Sequence, residues 1–367
     1  MAQTTLYQVQ PTPATKVATR ASRWRLGLLG LSVLLVVMFL LSIGVGSVYI
    51  PPGEVLKILL GAEPERAAWA NIVLKFRLPK AITASLAGAS LAIAGLQMQT
   101  LFRNPLAGPF ILGISSGASL GVALVVLGAG AGGGVTLLAG LGLLGEFSLA
   151  VAASLGAALV LLLVMLVARR VNSTMTLLLL GLMFGYATSA LVSVLLYFSI
   201  AERIQAYITW TFGTFGDVTW DQLRVMAPSL LLAMAVAHAG AKPLNALLLG
   251  ETYARSMGLT VGRARLFIIG SASILAGVVT AFCGPITFLG VAVPHLGRSL
   301  FNTSDHRILL PATTLLGAVL ALGADLIAHL PGSQISLPLN AITALIGAPV
   351  VVWVILRRGN LGKTFAA

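Results

Sequence analysis

The sequence predicts an all-α integral membrane protein of about ten spanning helices, and three observations predict it. Of its 367 residues 58% are hydrophobic and only 9% are charged, where soluble domains carry about a quarter. The apolar residues fall in runs long enough to cross a bilayer. The cations between those runs gather on one side of the resulting thread. A mean hydropathy of +0.99 excludes a water-soluble globular protein. The net charge of +13 does not indicate nucleic acid, because Lys and Arg are scattered between apolar runs and not clustered on one face. Cys283 is the single cysteine, lies in an apolar stretch and reads as a packing residue.

Residues 1–25 read as a disordered cytoplasmic tail, polar, with Pro11, Pro13 and the cations Lys16, Arg20, Arg23 and Arg25. The uncharged run 26–50 is too long for a signal-peptide core and forms the first span. Further apolar segments lie at 81–102, 111–130, 147–168, 174–199, 225–240, 266–283, 286–300, 308–328 and 338–356. The ten-segment unit thus covers 26–358, and 359–367 is a cytoplasmic C-terminal tail. Threaded from inside, the cytoplasmic parts hold sixteen cations against two acids, Glu251 and Asp305; the outside holds seven of each. Both termini are then cytoplasmic.

Three connections exceed tight turns. Outside, 51–80 opens with Pro51-Pro52-Gly53, and 200–224 carries Trp210, Phe212, Phe215 and Trp220, a set suited to an interface. Inside, 241–265 is long and basic. A weak repeat is also visible. Gly88 and Gly95 precede Asn104-Pro105, and Gly270 and Gly277, at the same spacing, precede Gly284-Pro285. Segments two to five and seven to ten then face opposite ways, an inverted repeat of the kind transporters use.

Proline removes a helical N–H and glycine frees the backbone, so Asn104, Pro105, Gly108 and Pro109 interrupt helix before Ser115 and Ser116. Irregular backbone at membrane depth needs protein packing or a wet cavity around it. A tight Pro-Gly turn followed by a small-residue packing face is the other reading. Residues 244–259 fit two short amphipathic helices hinged at Gly250, with Glu251 and Arg255 as an i,i+4 pair, or an ordinary basic connection. Gly284, Pro285, Pro294 and His295 mark a second broken segment opposite the first.

Together RNPLAGPFILGISSGAS, LLLGETYARSMGL, GPITFLGVAVPHLGR and LPLNAITALIGAPVVVW resemble, in order and spacing, the iron-chelate, haem and vitamin B12 importer permeases of the ATP-binding cassette class. The resemblance spans about 26–358 and implies the type II importer permease fold in a bacterial inner membrane. It implies a second permease subunit, two cytoplasmic ATPase subunits and an external substrate-binding protein as partners. It further implies that Leu249, Gly250, Glu251, Ala254, Arg255 and Gly258 seat in the ATPase. Ser115, Ser116, Ser173 and Thr174 become gate candidates, although small hydroxyls suit close helix packing equally. Arg77 and Lys80 look like the docking site for acids on the binding protein; a pair of interfacial anchors is the other reading. Where the family often has a second outer arginine this chain has His329, which would make docking there pH-dependent. Ser336-Leu337-Pro338-Leu339-Asn340 likewise replaces a common Glu-Leu-Pro-hydrophobic-Gly form.

No Walker A sequence occurs, so ATP and Mg2+ belong to a partner chain, and this chain is no enzyme. Its four histidines, His238, His295, His306 and His329, lack metal-ligand spacing, and no cofactor is expected. Iron chelates are the larger group in the family, which makes a ferric siderophore the leading ligand, ahead of haem and cobalamin. An acid in an apolar helix is a functional candidate by default, so an ion-coupled secondary transporter using Asp325 is the alternative. Near a helix end, Asp325 can equally satisfy backbone or a neighbouring cation.

Overall fold

The computed structural model describes residues 14–46, 48–128, 147–171, 173–329 and 336–357; most of the N-terminal tail and all of 359–367 lie outside them. Among the described residues every regular element is helical. Helix α1 (Ala14–Gly44) starts inside the stretch read as a disordered tail. Residues 14–25 contain neither Pro nor Gly, so nothing ends the helix before the apolar run, and the Trp24 indole donates to Phe301 O at 3.1 Å.

The connection 51–80 is also largely helical. Pro52 opens α2 (Pro52–Leu59) at a position where a missing N–H costs nothing. Helix α3 (Ala67–Asn71) passes through a wide π turn (Ile72–Arg77) into α4 (Leu78–Leu101), and that turn accommodates Pro79, which has no N–H to give. The apolar span therefore runs Ala67–Leu101.

Beyond the 3-10 turn Pro109–Leu112 come α5 (Ile114–Val126), α6 (Ser148–Ala168), α7 (Thr174–Tyr197) and α8 (Ala201–Thr211). Helix α9 (Trp220–Ala239) starts at a Thr219/Gln222 capping box, and two short helices, α10 (Ala241–Leu248) and α11 (Glu251–Ser256), follow it. The chain ends in α12 (Val261–Cys283), α13 (Leu289–Phe301), α14 (His306–Ala328) and α15 (Leu339–Arg357). Each of the ten expected segments contains a helix among the described residues. Seven of the described helices are long and apolar enough to cross a membrane, while α5 and α13 are shorter because breaks take the start of each expected run.

Helix α4 is the core of the bundle, buried along most of its length. Without water between helices, association in a bilayer rests on close packing of small residues. Gly88 lies against Gly317 of α14 and Gly95 against Gly290 of α13, each so close that a Cβ would overlap the facing carbonyl. The second half's glycines are not equivalent: Gly270 has open space and Gly277 only ordinary contacts at 3.7 Å. The inverted sense of the halves nevertheless holds. The start of α4 meets the end of α14 through Lys80 and Asp325, whereas the start of α12 meets α11 through Arg265 and Glu251.

Candidate functional site

The short helices α10 and α11 meet at Gly250, whose φ of +100° is open to glycine and strained for other residues, as the sequence hinge anticipates. The N–H of Ala254, itself fully buried, donates to Gly250 O, and Leu259 N–H donates to Ala254 O, closing the turn at Gly258, where φ is +86°. Tyr253 and Met257 lie four apart on α11 and, with Leu249 just before the hinge, are 66%, 55% and 60% exposed, so large apolar side chains stand open around Arg255. Such a set suits contact with another protein surface.

Two polar clusters hold this segment to the bundle. Asn245 of α10 donates to Asp305 Oδ1 at 2.6 Å and accepts from His306 N–H at 2.8 Å, while His306 Nε2 meets Thr100 Oγ1 of α4 at 2.8 Å. The second cluster centres on Glu251. Its Oε1 accepts from Thr174 Oγ1 at 2.8 Å and from Arg265 Nη2 at 2.9 Å, and Arg265 Nη1 donates to Val171 O at 2.9 Å. The anticipated Arg255 pair is present but long, at 3.6 Å, with Arg255 mostly exposed. Partial burial raises the Glu251 carboxyl, but the Thr174 and Arg265 hydrogen bonds and the arginine charges outweigh it and hold the group below its usual range.

The four gate candidates do not form one cluster. Ser173 caps α7, accepting from Thr176 N–H at 3.3 Å, and Thr174 turns to Glu251. Ser115 and Ser116 are half-buried at the start of α5, with Ser116 facing Gly185, roughly 18 Å further along α7. Ser116, Ser173 and Thr174 all border α7.

Both broken segments are packed in protein. Asn104 Oδ1 accepts from Leu106 N–H at 2.9 Å, Pro109 packs on Gly290, and Gly108 faces Val291. His295, buried behind Pro294 in α13, bonds Pro105 O through Nε2 at 2.7 Å and so ties one break to the other. At the second break Gly284 has φ +74° before Pro285, and Phe288, with φ +66°, is held against Gly347 of α15. Asn340 Oδ1 accepts from both the N–H and the hydroxyl of Thr287, so the residue that departs from the family pattern clamps the break.

At the opposite end of the bundle, Arg77 is not the exposed docking cation that the resemblance implies. It is 7% exposed, and its guanidinium donates to the carbonyls of Ile43, Gly44 and Val48, closing the C-terminal end of α1. Lys80 Nζ lies 2.9 Å from Asp325 Oδ2, both side chains largely buried, so Asp325 has a neighbouring cation. His329 Nδ1 is 3.2 Å from Asp325 Oδ1, a bond that raises the imidazole above its ordinary pKa against the opposing effects of burial and Lys80. A cavity of ≈ 300 Å³ lined by Asp217, Asp325, His329 and Leu337 opens beside the pair.

Sequence reasoning missed Arg265, Asn245 and the inward turn of Arg77. Each joins stretches far apart in the chain, and no local spacing announces such a partner.

A family model described as the FecCD transport family matches residues 34–357. The chain is 39% identical over 343 residues to a protein named as the vitamin B12 import system permease BtuC of Klebsiella pneumoniae subsp. pneumoniae, covering 94% of this chain and 96% of the relative. It is 37% identical to the equally named protein of Salmonella typhimurium, over 92% and 96% of the two chains. A solved structure described as an inward-facing conformation of the metal-chelate ABC transporter type matches with a TM-score of 0.78 at 29% identity, over 90% of this chain and 98% of that one.

Proposed function

Because the chain belongs to the FecCD transport family and is a multi-pass permease subunit of an ATP-binding cassette importer, we propose that its cargo is a corrinoid of the vitamin B12 type. The observation that carries this reading is the alignment along 94% of the chain with a vitamin B12 permease, which moves the preference away from a ferric siderophore. A metal chelate is the second reading, favoured by the description of the similar solved structure.

The remaining assignments follow from that role. The α10–α11 end faces the cytoplasm of a bacterial inner membrane, consistent with the cation bias, and both termini lie on that side. The exposed set of Leu249, Tyr253 and Met257, with Arg255, docks on an ATPase subunit that brings the ATP and Mg2+; this chain needs no cofactor of its own. A second permease subunit, of the same or a similar sequence, covers α7, whose exposed hydroxyls Thr176, Ser189 and Ser193 suit a helix partner or a wet pathway better than lipid. A substrate-binding protein meets the opposite end around Lys80 and His329, with Arg77 in a supporting place behind them. The gate hydroxyls Ser115, Ser116, Ser173 and Thr174 flank the moving edge of α7.

The test is uptake by vesicles containing the chain and its ATPase, with loaded binding protein outside and ATP inside, across cobalamin, a set of ferric siderophores and haem. ATP-dependent cobalamin uptake is the expected result. Uptake of a siderophore or haem alone would replace the cargo. Transport that needs no ATPase and collapses with the proton gradient would return the function to Asp325.

A further inference from the structure

Arg265 lies in the second turn of α12 with its side chain only 5% exposed, so it cannot be a surface docking cation. Its guanidinium spans two otherwise separate parts of the chain. One nitrogen donates to Val171 O at 2.9 Å, in the connection between α6 and α7; the other donates to Glu251 Oε1 at 2.9 Å and lies 3.4 Å from Thr174 Oγ1. The Thr174 hydroxyl also donates to Glu251 Oε1, at 2.8 Å, and this closes a ring of three side chains. Helix α11, which carries Glu251, has glycines of positive φ on either side, Gly250 and Gly258. Glycine at both ends frees the backbone there from Cβ restriction, while Arg265 lies in a long buried helix.

We propose that Arg265 is the positioning residue that transmits displacement of α11 to the first turn of α7. The planar guanidinium is suited to this, because it holds a carboxylate and a carbonyl at once in a fixed geometry. Its acceptors are the carboxylate on the pivoting helix and the backbone just before the helix whose edge carries Ser173 and Thr174. When α11 moves, Thr174 and Val171 follow through shared partners and not through the bilayer-embedded core. The inference rests on the reading that α11 docks on an ATPase and that α7 borders the gate.

The test is the ratio of cobalamin taken up to ATP hydrolysed in vesicles with ATPase and binding protein, alongside co-purification of the ATPase. Arg265→Gln is expected to retain the ATPase and to lower the ratio about tenfold. Arg265→Lys, which keeps one charged donor, recovers part of the loss. Thr174→Val gives a smaller loss that does not add to that of Arg265→Gln, since both cut one ring. A residue that merely stabilised the fold would lower yield and thermal stability and leave the ratio of the surviving protein unchanged. A native ratio in Arg265→Gln overturns the inference; if that variant does not reach the membrane, native ratios in both Arg265→Lys and Thr174→Val overturn it. Absence of ATP-dependent uptake by the native chain with cobalamin, siderophores or haem instead overturns the transport reading, and the inference with it.

Discussion

The two ends of the bundle each carry a carboxylate held by a cation, yet the two arrangements are built for opposite purposes. Asp325 is 1% exposed and sits with Lys80 between α4 and α14, whose backbones touch at Gly88 and Gly317. Neither helix can move without the other, so the pair is a lock. Glu251 is 31% exposed on a helix of six residues bounded by glycines of positive φ, and its partners belong to α7 and α12. The same charges there form a joint. What decides between lock and joint is the rigidity of the elements that present the side chains, not the chemistry of the pair.

The largest effect should come from breaking the lock. Lys80→Met leaves buried Asp325 with only the partly exposed His329 beside it, and removal of one partner of a buried pair costs up to about 3–5 kcal/mol. Thermal unfolding in detergent should show a large fall, and Lys80→Met with Asp325→Leu should regain most of it. A single variant as stable as the native chain would erase the distinction between the two ends.

Much of this architecture was legible in the sequence, for reasons specific to each part. The ten apolar segments could be read because a bilayer requires length and hydrophobicity, both local properties. The hinge at Gly250 could be read because a short amphipathic pattern resumes on either side of it. The helical content of 51–80 was hidden by Pro52, which reads as a breaker and acts as a helix start. The inward turn of Arg77 was hidden because its acceptors, the carbonyls of Ile43, Gly44 and Val48, lie 29 to 34 residues back, and a basic residue near an expected outer mouth gives no sign of facing inward. Arg265 was one cation among sixteen in the cytoplasmic count, and its 94-residue separation from Val171 is visible only in the fold.

Stiffening the joint sharpens the comparison next. Gly250→Ala forces a Cβ into φ +100° and ψ 156°, a region essentially reserved for glycine, at a cost of about 1–3 kcal/mol. That strain should reorient α11 and reduce ATP-driven uptake several-fold while the melting temperature changes little. Loss of stability without loss of uptake would place Gly250 in the lock class. Arg255→Glu acts on the exposed side of the same helix. It should weaken ATPase co-purification by about tenfold or less, as expected for a rim charge, and spare membrane insertion. Unchanged assembly would remove Arg255 from the docking surface.

The smallest effect separates the ends by pH. His329 has its pKa raised above the ordinary 6.5 chiefly by its bond to Asp325, while burial and Lys80 oppose it. A raised folded pKa means that the stabilisation is complete below the unfolded value and disappears as pH rises through the folded one. The imidazole is about a third exposed, so solvent screens the pair and the melting temperature should fall by only about 1 °C as pH rises through neutrality. Three charged groups face this histidine: Asp325 and Lys80 in the lock, and Asp217 across the adjoining cavity. His329→Gln should flatten the profile. Glu251, held below the usual carboxylate range, stays ionised across the same interval, so the joint contributes no slope. A neutral-range slope that survived His329→Gln would have to arise elsewhere, and it would separate the lock's rigidity from its protonation.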